Sequence, residues 1–417
     1  MNENALGDLE VLYIKSLARR YGDNIRDLAK AINKNDNYVY DIMNKRRTLS
    51  YDVFESICSY YDVKYNDDPS LYQYGYDMVI HLTEAFIKKN NTLKYEYEKD
   101  YLIRKDELNN SKCFILCPII EFILAYLNKQ MDKYDALIKI IDKSFKVYDE
   151  NISYCFLIFY NYSHPIVTHI AEYKEFLKYL DSKLSLTKVN PYVRATTYFI
   201  LGDYNDLIND TYLSLSNFQK AIEEFKDLFL VERVVQCQIH IAILISRSGQ
   251  NERAIAMLDK ALKISLENKF TTRIIKCLNI KSYFYMVLGD YKKLLECINE
   301  ALKYGSNFDS LYYYEVIDRY YLEGKDFSVA LIANYFLNVT DYYTKLVLTM
   351  LDNLFNNRIY KFKRDFNKLE EYNVSINDFV EMDLIYKIII DYFEAENNNI
   401  EKGDFLEKYF KFKSKKI

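Results

Sequence analysis

Residues 22–63 read GDNIRDLAKAINKNDNYVYDIMNKRRTLSYDVFESICSYYDV, and they contain three short amphipathic segments separated by polar turns. Gly22 and Asn24 provide a helix stop and a new helix N-cap ahead of a helix from Ile25 to Ile32. Asn33-Lys34-Asn35 then offers a residue that tolerates a left-handed backbone and a second N-cap. The stretch therefore predicts two short helices joined by a tight turn, with another helix from Tyr51 to Asp62.

An amphipathic helix over residues 9–21 precedes this stretch. Together they resemble the repressor-type helix-turn-helix of the phage-repressor class, over roughly residues 9–65. Three positions depart from its pattern, because Asn33 stands for Gly, Ile25 for a polar residue and Leu49 for Pro. The positions that match are Gly22, Leu28, Ala29, Val39, Ile42, Arg47 and Ser50. The resemblance implies a DNA-binding domain over residues 1–65.

In that fold the second helix of the pair enters the major groove of double-stranded DNA. Residues 1–65 contain ten basic and ten acidic side chains, so the net charge alone does not favour DNA binding. A head that kept its fold and lost its DNA therefore stays an alternative. The candidates for contacts to base edges are Asp36, Asn37, Tyr38, Tyr40 and Asp41, and the candidates for the DNA backbone are Lys45, Arg46 and Arg47.

Residues 66–75 read as a linker, and residues 76–417 as amphipathic helices, in keeping with only 9 Gly and 4 Pro in the chain. Similar segments recur, and aligning Ala221, Ala254, Leu294 and Ala330 gives intervals of 33, 40 and 36 residues. The first interval is close to the tetratricopeptide period of about 34 residues. We predict an all-α fold: the helix-turn-helix domain, then a right-handed superhelix of tetratricopeptide-like helical hairpins, with small residues such as Gly249 where helices cross.

The first helix of each hairpin in such an array lines a concave groove. Counting back from Gly249 and Gly289 predicts which side chains face it, including Ile239, Ile243 and Met286. Amide, cationic and aromatic groups suit an extended peptide, because they bind its backbone, its terminal carboxylate and its apolar side chains. The candidate peptide-binding residues are Arg194, Gln236, Arg247, Lys276, Asn279, Tyr283, Tyr312, Glu315 and Arg319.

A repressor-type head joined to such an array resembles the RRNPP superfamily of Gram-positive peptide-pheromone receptors. The segment NPYVRATTY, residues 190–198, is similar to a helix of the phage arbitrium receptors, although Ala195 stands where that branch has Asn. The resemblance implies a cytoplasmic, peptide-responsive (quorum-sensing) transcription regulator with a DNA operator and a short signalling peptide as partners, controlling phage lysis or lysogeny if the arbitrium likeness holds. We expect a homodimer formed through residues 341–409.

Several functional classes find no support in the sequence. The net charge of −4 argues against a bulk polyanion binder, and the seven Cys residues lie in apolar helical contexts typical of reduced core thiols. We expect no cofactor, no metal site, no catalytic residues and no membrane segment. The alternative to a DNA-binding regulator is a repeat scaffold that sequesters or inhibits a protein partner.

Overall fold

The computed structural model describes residues 5–164, 174, 188–305, 310–337, 339–375 and 380–414. The chain divides into two compact units, one of residues 1–164 with 175–197 and one of residues 165–174 with 198–417. The helices of the first part are α1 (Asp8–Tyr21), α2 (Ile25–Ala31), α3 (Asp36–Met43), α4 (Tyr51–Tyr60), α5 (Pro69–Ile87), α6 (Asn91–Asn109), α7 (Cys117–Leu127), α8 (Tyr134–Ser144) and α9 (Glu150–Ser163).

The remaining helices are arranged as consecutive hairpins. They are α10 (Pro191–Leu207), α11 (Thr211–Asp227), α12 (Val231–Arg247), α13 (Asn251–Glu267), α14 (Thr271–Leu288), α15 (Tyr291–Leu302), α16 (Ser310–Glu323), α17 (Lys325–Tyr335), α18 (Tyr342–Phe355), α19 (Ile359–Ser375), α20 (Val380–Ala395) and α21 (Asn399–Ser414). The predicted all-α class, a helix-turn-helix followed by tetratricopeptide-like hairpins, is confirmed.

The head has the helix ends that its sequence predicts. Gly22 adopts a left-handed conformation at φ 78° and ends α1. The side chain of Asn24 accepts hydrogen bonds from the backbone N–H groups at the start of α2, and that of Asn35 accepts from the Tyr38 N–H at 2.8 Å. A two-residue strand, β1 (Ala5–Leu6), pairs antiparallel with β2 (Leu49–Ser50), a feature that the pattern did not predict.

The head packs against the helices that follow it in the first unit. The buried ring of Tyr13 contacts Tyr65 and Phe114, with ring centroids 4.7 and 5.2 Å apart, and its hydroxyl donates to Asn110 Oδ1 at 3.1 Å. Helix α5 begins at Pro69, within the segment 66–75 predicted as a linker. Side-chain contacts, in addition to the covalent connection, therefore hold the head of residues 1–65 against the helices that follow it.

The hairpins from α11 to α15 repeat with great regularity. Each of these five helices begins 20 residues after the last, at residues 211, 231, 251, 271 and 291. The turn before each contains one residue with positive φ, at Asn209, Phe229, Gly249, Lys269 and Gly289. The left-handed residue reverses the chain direction within a short turn, so helix pairs stack at a constant spacing.

This register corrects two sequence expectations. The fourth residue of each second helix, at Ser214, Ala254, Leu294 and Ser328, is fully buried, so the true intervals are 40, 40 and 34 residues. The 33-residue interval aligned Ala221 with Ala254, which stands seven residues earlier in its own helix than Ala221 does. Ala330, which was aligned with them, is exposed. Gly249 lies in a turn and has open space around it, whereas Gly202 lies at a close crossing of α10 and α11, where a Cβ would be 2.7 Å from the Phe218 ring.

Two hydrophobic clusters stabilise the second unit. One joins α12, α13 and α14 around Val235, Leu258 and Phe284. The larger one runs from Ile274 to Phe412 and includes buried aromatic side chains of the last four helices, such as Phe355, Phe366 and Tyr392. Most described apolar groups of residues 341–409 lie in this core, while Tyr342, Tyr360 and Ile400 stay exposed.

Candidate functional site

The predicted DNA-contacting residues lie together on α3 and the turn after it. Asp36, Asn37 and Tyr40 are exposed on α3, while Tyr38 and Asp41 are half-buried. The Asp41 carbonyl oxygen accepts from the Arg46 and Arg47 backbone N–H groups at 2.8 and 3.2 Å, which fixes the turn. The exposed side chains of this region are thus presented on one helix and its C-terminal turn, as major-groove binding requires.

The basic groups of the head also have internal partners. Lys45 Nζ lies 2.6 Å from Asp8 Oδ2, and Arg26 Nε lies 3.8 Å from Asp36 Oδ2. The guanidinium of Arg47 sits 4.6 Å from the Tyr38 ring centroid. These pairs are solvent-exposed, so each contributes at most about 1 kcal/mol and can exchange for phosphate.

In the second unit the first helices of successive hairpins pack on one another, α12 on α14, α14 on α16 and α16 on α18. No pair of successive second helices packs as closely among the residues that the structure describes. In a curved stack the elements on the inner side lie closest together. The first helices therefore line the inner side of the second unit, as the sequence predicted.

A polar network, the groove cluster, connects α12 and α14 on these first helices. Arg273 donates from Nη2 to Gln236 Oε1 at 3.1 Å, and its Nε lies 3.3 Å from Glu232 Oε1. Arg233 donates to the same Gln236 oxygen at 3.1 Å. The groove cluster consists of Glu232, Arg233, Gln236, Arg273 and Lys276, of which the sequence predicted Gln236 and Lys276.

Lys276 is the cation of the groove cluster without a counter-ion. No carboxylate pairs with its ammonium within the described part of the chain. Burial lowers the pKa of Lys276, and the Arg273 guanidinium lowers it further, while Asp203 raises it by less. A half-buried ammonium next to a second cation is favourable for an anionic group such as a carboxylate.

Further along the same side, polar side-chain contacts join α10 and α12. His240 Nδ1 lies 3.0 Å from Asp203 Oδ1, with its ring against Phe199. Arg247, predicted to bind peptide, pairs with Asp206, whose pKa burial raises against the opposing effect of Arg247. Arg247 is exposed at the end of α12 and does not belong to the groove cluster.

Three predicted residues lie together on α16. Glu315 is buried, accepts from the Tyr335 hydroxyl and lies 3.8 Å from Arg319, which also pairs with Glu323. The Tyr312 ring lies 4.6 Å from that of Tyr335. These side chains are already engaged with one another, so a ligand would have to compete with internal partners.

Other predicted positions are divided between surface and core. Asn279 and Tyr283 on α14 are half-buried, with Tyr283 packed against both hydrophobic clusters, and Ile243 on α12 is half-buried as well. Ile239 and Met286, expected to face the groove, are core residues. Both expectations were wrong, because Ile239 and Met286 pack in the hydrophobic clusters of the second unit.

Arg194 lies in the first unit, at the start of α10. Its Nη1 donates to the Val189 carbonyl at 3.3 Å, beside a cavity of about 430 Å³. The N-terminal turn of α10 is capped by Asn190, whose side chain accepts from the Tyr192 N–H at 3.0 Å. The cavity is also lined by Tyr76, Asp77, Ile80, Asn151, Lys188, Val189, Asn190 and Pro191.

The seven cysteines are free and buried, as the sequence predicted. Cys117 Sγ donates to the Cys113 carbonyl at 3.5 Å, an internal helix contact. No cluster of metal-ligating side chains is found in the described residues, and no helix among them is long and apolar enough to cross a bilayer.

No protein-family model matches the chain, and no curated protein matches it significantly. A Rap protein complexed with competence and sporulation factor has a similar structure, with a TM-score of 0.61 at 16% identity over 83% of this chain and 97% of that one. NprR in complex with its cognate peptide NprX gives 0.57 at 12% identity over 79% and 99%. Aspartyl phosphate phosphatase F from Bacillus subtilis gives 0.56 at 15% over 84% and 96%.

The fold therefore defines a helix-turn-helix protein with tetratricopeptide-like repeats. Rap proteins and NprR belong to the RRNPP superfamily that the sequence resembles. The resemblance is confirmed as a likeness of fold.

Proposed function

We propose that the chain is a cytoplasmic, peptide-responsive transcription regulator. A short signalling peptide binds the inner side of the second unit, and the head binds a DNA operator. The observation that carries this proposal is Lys276, a half-buried cation beside Arg273 that has no counter-ion among the described residues.

The free carboxylate of a peptide supplies the missing charge. An ammonium–carboxylate hydrogen bond in a partly desolvated site contributes about 1.5–3 kcal/mol. Neighbouring groups on the same helices suit the rest of an extended peptide. Asn279 can pair with its backbone, and the half-buried rings of Tyr283 and Tyr312 can cover apolar side chains. Arg194, in the other unit, stays a separate prediction.

Peptide binding regulates the head only if the peptide prefers one of two conformations. The contacts between α12 and α14 are the part of the site that a ligand at Lys276 would alter. We propose that rearrangement of Arg273, which holds Gln236 and Glu232 across this pair of helices, is the first step of the response.

The test is calorimetry with short peptides encoded beside the gene, each made with a free C-terminal carboxylate and with a C-terminal amide. The acid should bind about tenfold to a hundredfold more tightly than the amide. Lys276→Met should remove that difference, whereas Lys260→Met on the outer helix α13 should preserve it. Equal affinities of acid and amide for the unaltered protein would refute the carboxylate role.

The small open reading frame that encodes such a peptide also decides whether the protein is a pheromone receptor or a regulator of phage lysis. A secretion signal in it supports a pheromone receptor, and its position beside phage integration genes supports control of lysis or lysogeny.

The second candidate is a repeat scaffold with a head that does not bind DNA. It is favoured by the internal partners of the head, because Asp36 and Asp41 add negative charge to α3 and Lys45 is paired with Asp8. Selection from a genomic DNA library at low salt separates the two functions. Retention of a specific, roughly palindromic duplex supports the regulator, and retention of none supports the scaffold.

A palindromic operator calls for a homodimer. The C-terminal hairpins of residues 341–409 remain our proposed dimer contact, with Tyr360 exposed on α19 and Ile400 on α21. Light scattering at micromolar concentration tests it, since a monomer with and without DNA would contradict the proposal.

A further inference from the structure

The cavity beside Arg194 lies in the first unit, between α5, the start of α9 and the start of α10. Its volume is about 430 Å³, and small-molecule sites in proteins commonly measure about 300–1,000 Å³. Ile80 and Val189 are buried at its floor, whereas Asp77 and Lys188 are exposed at its mouth. None of its lining residues belongs to the groove cluster or to the DNA-contacting residues of the head.

The walls of the cavity are held together through one residue, Asn190. Its backbone N–H donates to Asn151 Oδ1 at 2.7 Å, and its side-chain Nδ2 donates to Glu84 Oε1 at 2.9 Å. Its Oδ1 accepts from the Tyr192 N–H at 3.0 Å and so caps α10. Asn190 thus joins α5, α9 and α10, so the cavity between these helices is formed without a ligand.

Side chains of both charges line this cavity. Asp77 accepts from Gln73 Nε2 at 2.8 Å, and this neutral partner does not compensate its negative charge. No carboxylate pairs with Lys188 among the residues that the structure describes. The Arg194 guanidinium is kept at the cavity because its Nη1 donates to the Val189 carbonyl at 3.3 Å. In the described part of the chain, Asp77 forms no ion pair with either cation.

Opposite charges that line one small cavity without pairing are complementary to a ligand that carries both charges. An ammonium group pairs with the Asp77 carboxylate, and a carboxylate pairs with Lys188 and Arg194. The apolar side chains of Ile80 and Val189 can cover an apolar group of the same ligand. We propose that the cavity binds a small zwitterion of the α-amino acid type with an apolar side chain. This site does not rest on the peptide and DNA functions proposed above.

Ligand-detected NMR, which measures millimolar affinities, tests the two charges with leucine and its blocked derivatives. Leucine has few atoms, so we expect a dissociation constant on the order of 0.1–1 mM. N-acetyl-leucine lacks the ammonium group and leucinamide lacks the carboxylate, so each should bind about tenfold more weakly. Equal binding of the three compounds, or no binding of leucine at about 10 mM, would overturn the proposal.

Two substitutions at exposed positions assign the charges to residues. Asp77→Asn should weaken leucine binding about tenfold and leave the binding of N-acetyl-leucine, which has no ammonium group, unchanged. Lys188→Met should weaken leucine binding about three- to tenfold, since Arg194 remains, and leave leucinamide unchanged. Lys139→Met, exposed on α8 and outside the cavity, is the matched control and should change neither. An equal loss of affinity for the charged and the blocked compounds would overturn the charge pairing.

Leucyl-leucine tests the length of the ligand, because a dipeptide with free ends carries the same two charges about 3.8 Å further apart. Tighter binding of leucine assigns a free amino acid, and tighter binding of leucyl-leucine assigns a dipeptide, so both results uphold a zwitterion site. The signalling peptide of the proposed function should not displace leucine, because its site is in the second unit. Displacement would overturn a separate site for the zwitterion.

Discussion

Asp318 on α16 should make the stability of the second unit depend on pH near neutrality. It is 0% exposed, and neither carboxyl oxygen has a hydrogen-bond partner among the described residues. Burial raises the pKa of Asp318 to about 7, with Arg319 opposing the rise and Glu315 and Glu323 adding to it. The Tyr291 ring on α15 also lies near this carboxyl.

The direction in which stability changes with pH follows from the linkage between protonation and folding. The ordinary pKa of 3.8 applies in the unfolded chain, so well below this pH both states are protonated and Asp318 has no effect. As pH rises towards 7 the unfolded chain loses its proton first, and the folded state loses stability. Above pH 7 the ionised carboxylate costs about 2–4 kcal/mol of folding free energy.

Asp318→Asn is the perturbation, because it keeps the shape and removes the charge. Urea unfolding from pH 5 to pH 8 should show its stabilising effect grow by roughly 2 kcal/mol. Asp365→Asn is the matched control, since Asp365 is equally buried but accepts from Asn353 at 2.9 Å and pairs with Arg364. Asp365→Asn should destabilise the protein at every pH. An effect of Asp318→Asn that does not change with pH would refute the buried-carboxylate argument.

Phe229→Gly should stabilise the protein by about 1 kcal/mol in the same assay, because Phe229 is 88% exposed with φ 57° and Gly adopts this backbone without strain. Gly249→Ala, at φ 81°, should do the reverse. Replacing Arg46 and Arg47 with Ala should weaken binding to every duplex and reduce the slope of log affinity against log salt by about 1.8 in filter binding. Asn37→Ala should instead relax the base preference, at about 1–3 kcal/mol for the preferred site.

The sequence predicted the head well, because the signals there are local. Asn24 and Asn35 cap helices through hydrogen bonds to residues two or three positions away. Asn is among the preferred N-cap residues because its side chain reaches these nearby N–H groups. The docking of the head was not predictable, since Tyr13 and Asn110 are 97 residues apart and neither position carries a distinctive pattern.

The buried acid Asp318 was missed for a related reason. On α16 it follows Val316 and Ile317 and precedes Arg319, and helical periodicity alone does not say that an acidic side chain at this position faces the core. Only the packing of α15 against α16 decides that. A polar residue in the core contradicts the pattern from which burial is inferred.

The error in the repeat register has a physical cause. Two turns of an α-helix take about seven residues, so a hydrophobic stripe superposes on itself after a seven-residue slip. Aligning Ala221 with Ala254 made that slip, since the structural equivalent of Ala254 is Ser214. The groove positions were instead counted from Gly249 and Gly289, which occupy equivalent turns.

Those two glycines are 40 residues apart, as are Gln236 and Lys276, so these two residues were placed at equivalent positions of consecutive repeats, although Ile239 and Met286 from the same count lie in the core. The 40-residue period also relates two groove-cluster residues that the sequence analysis did not select. Arg233 and Arg273 are also 40 residues apart and lie one turn before Gln236 and Lys276. Two arginines at one position of consecutive repeats, facing the same side, predict the cationic pair that the groove cluster contains. A turn residue with positive φ marks the register of a helical repeat more reliably than the apolar stripe does. The stripe superposes on itself after seven residues, whereas each turn contains one such residue.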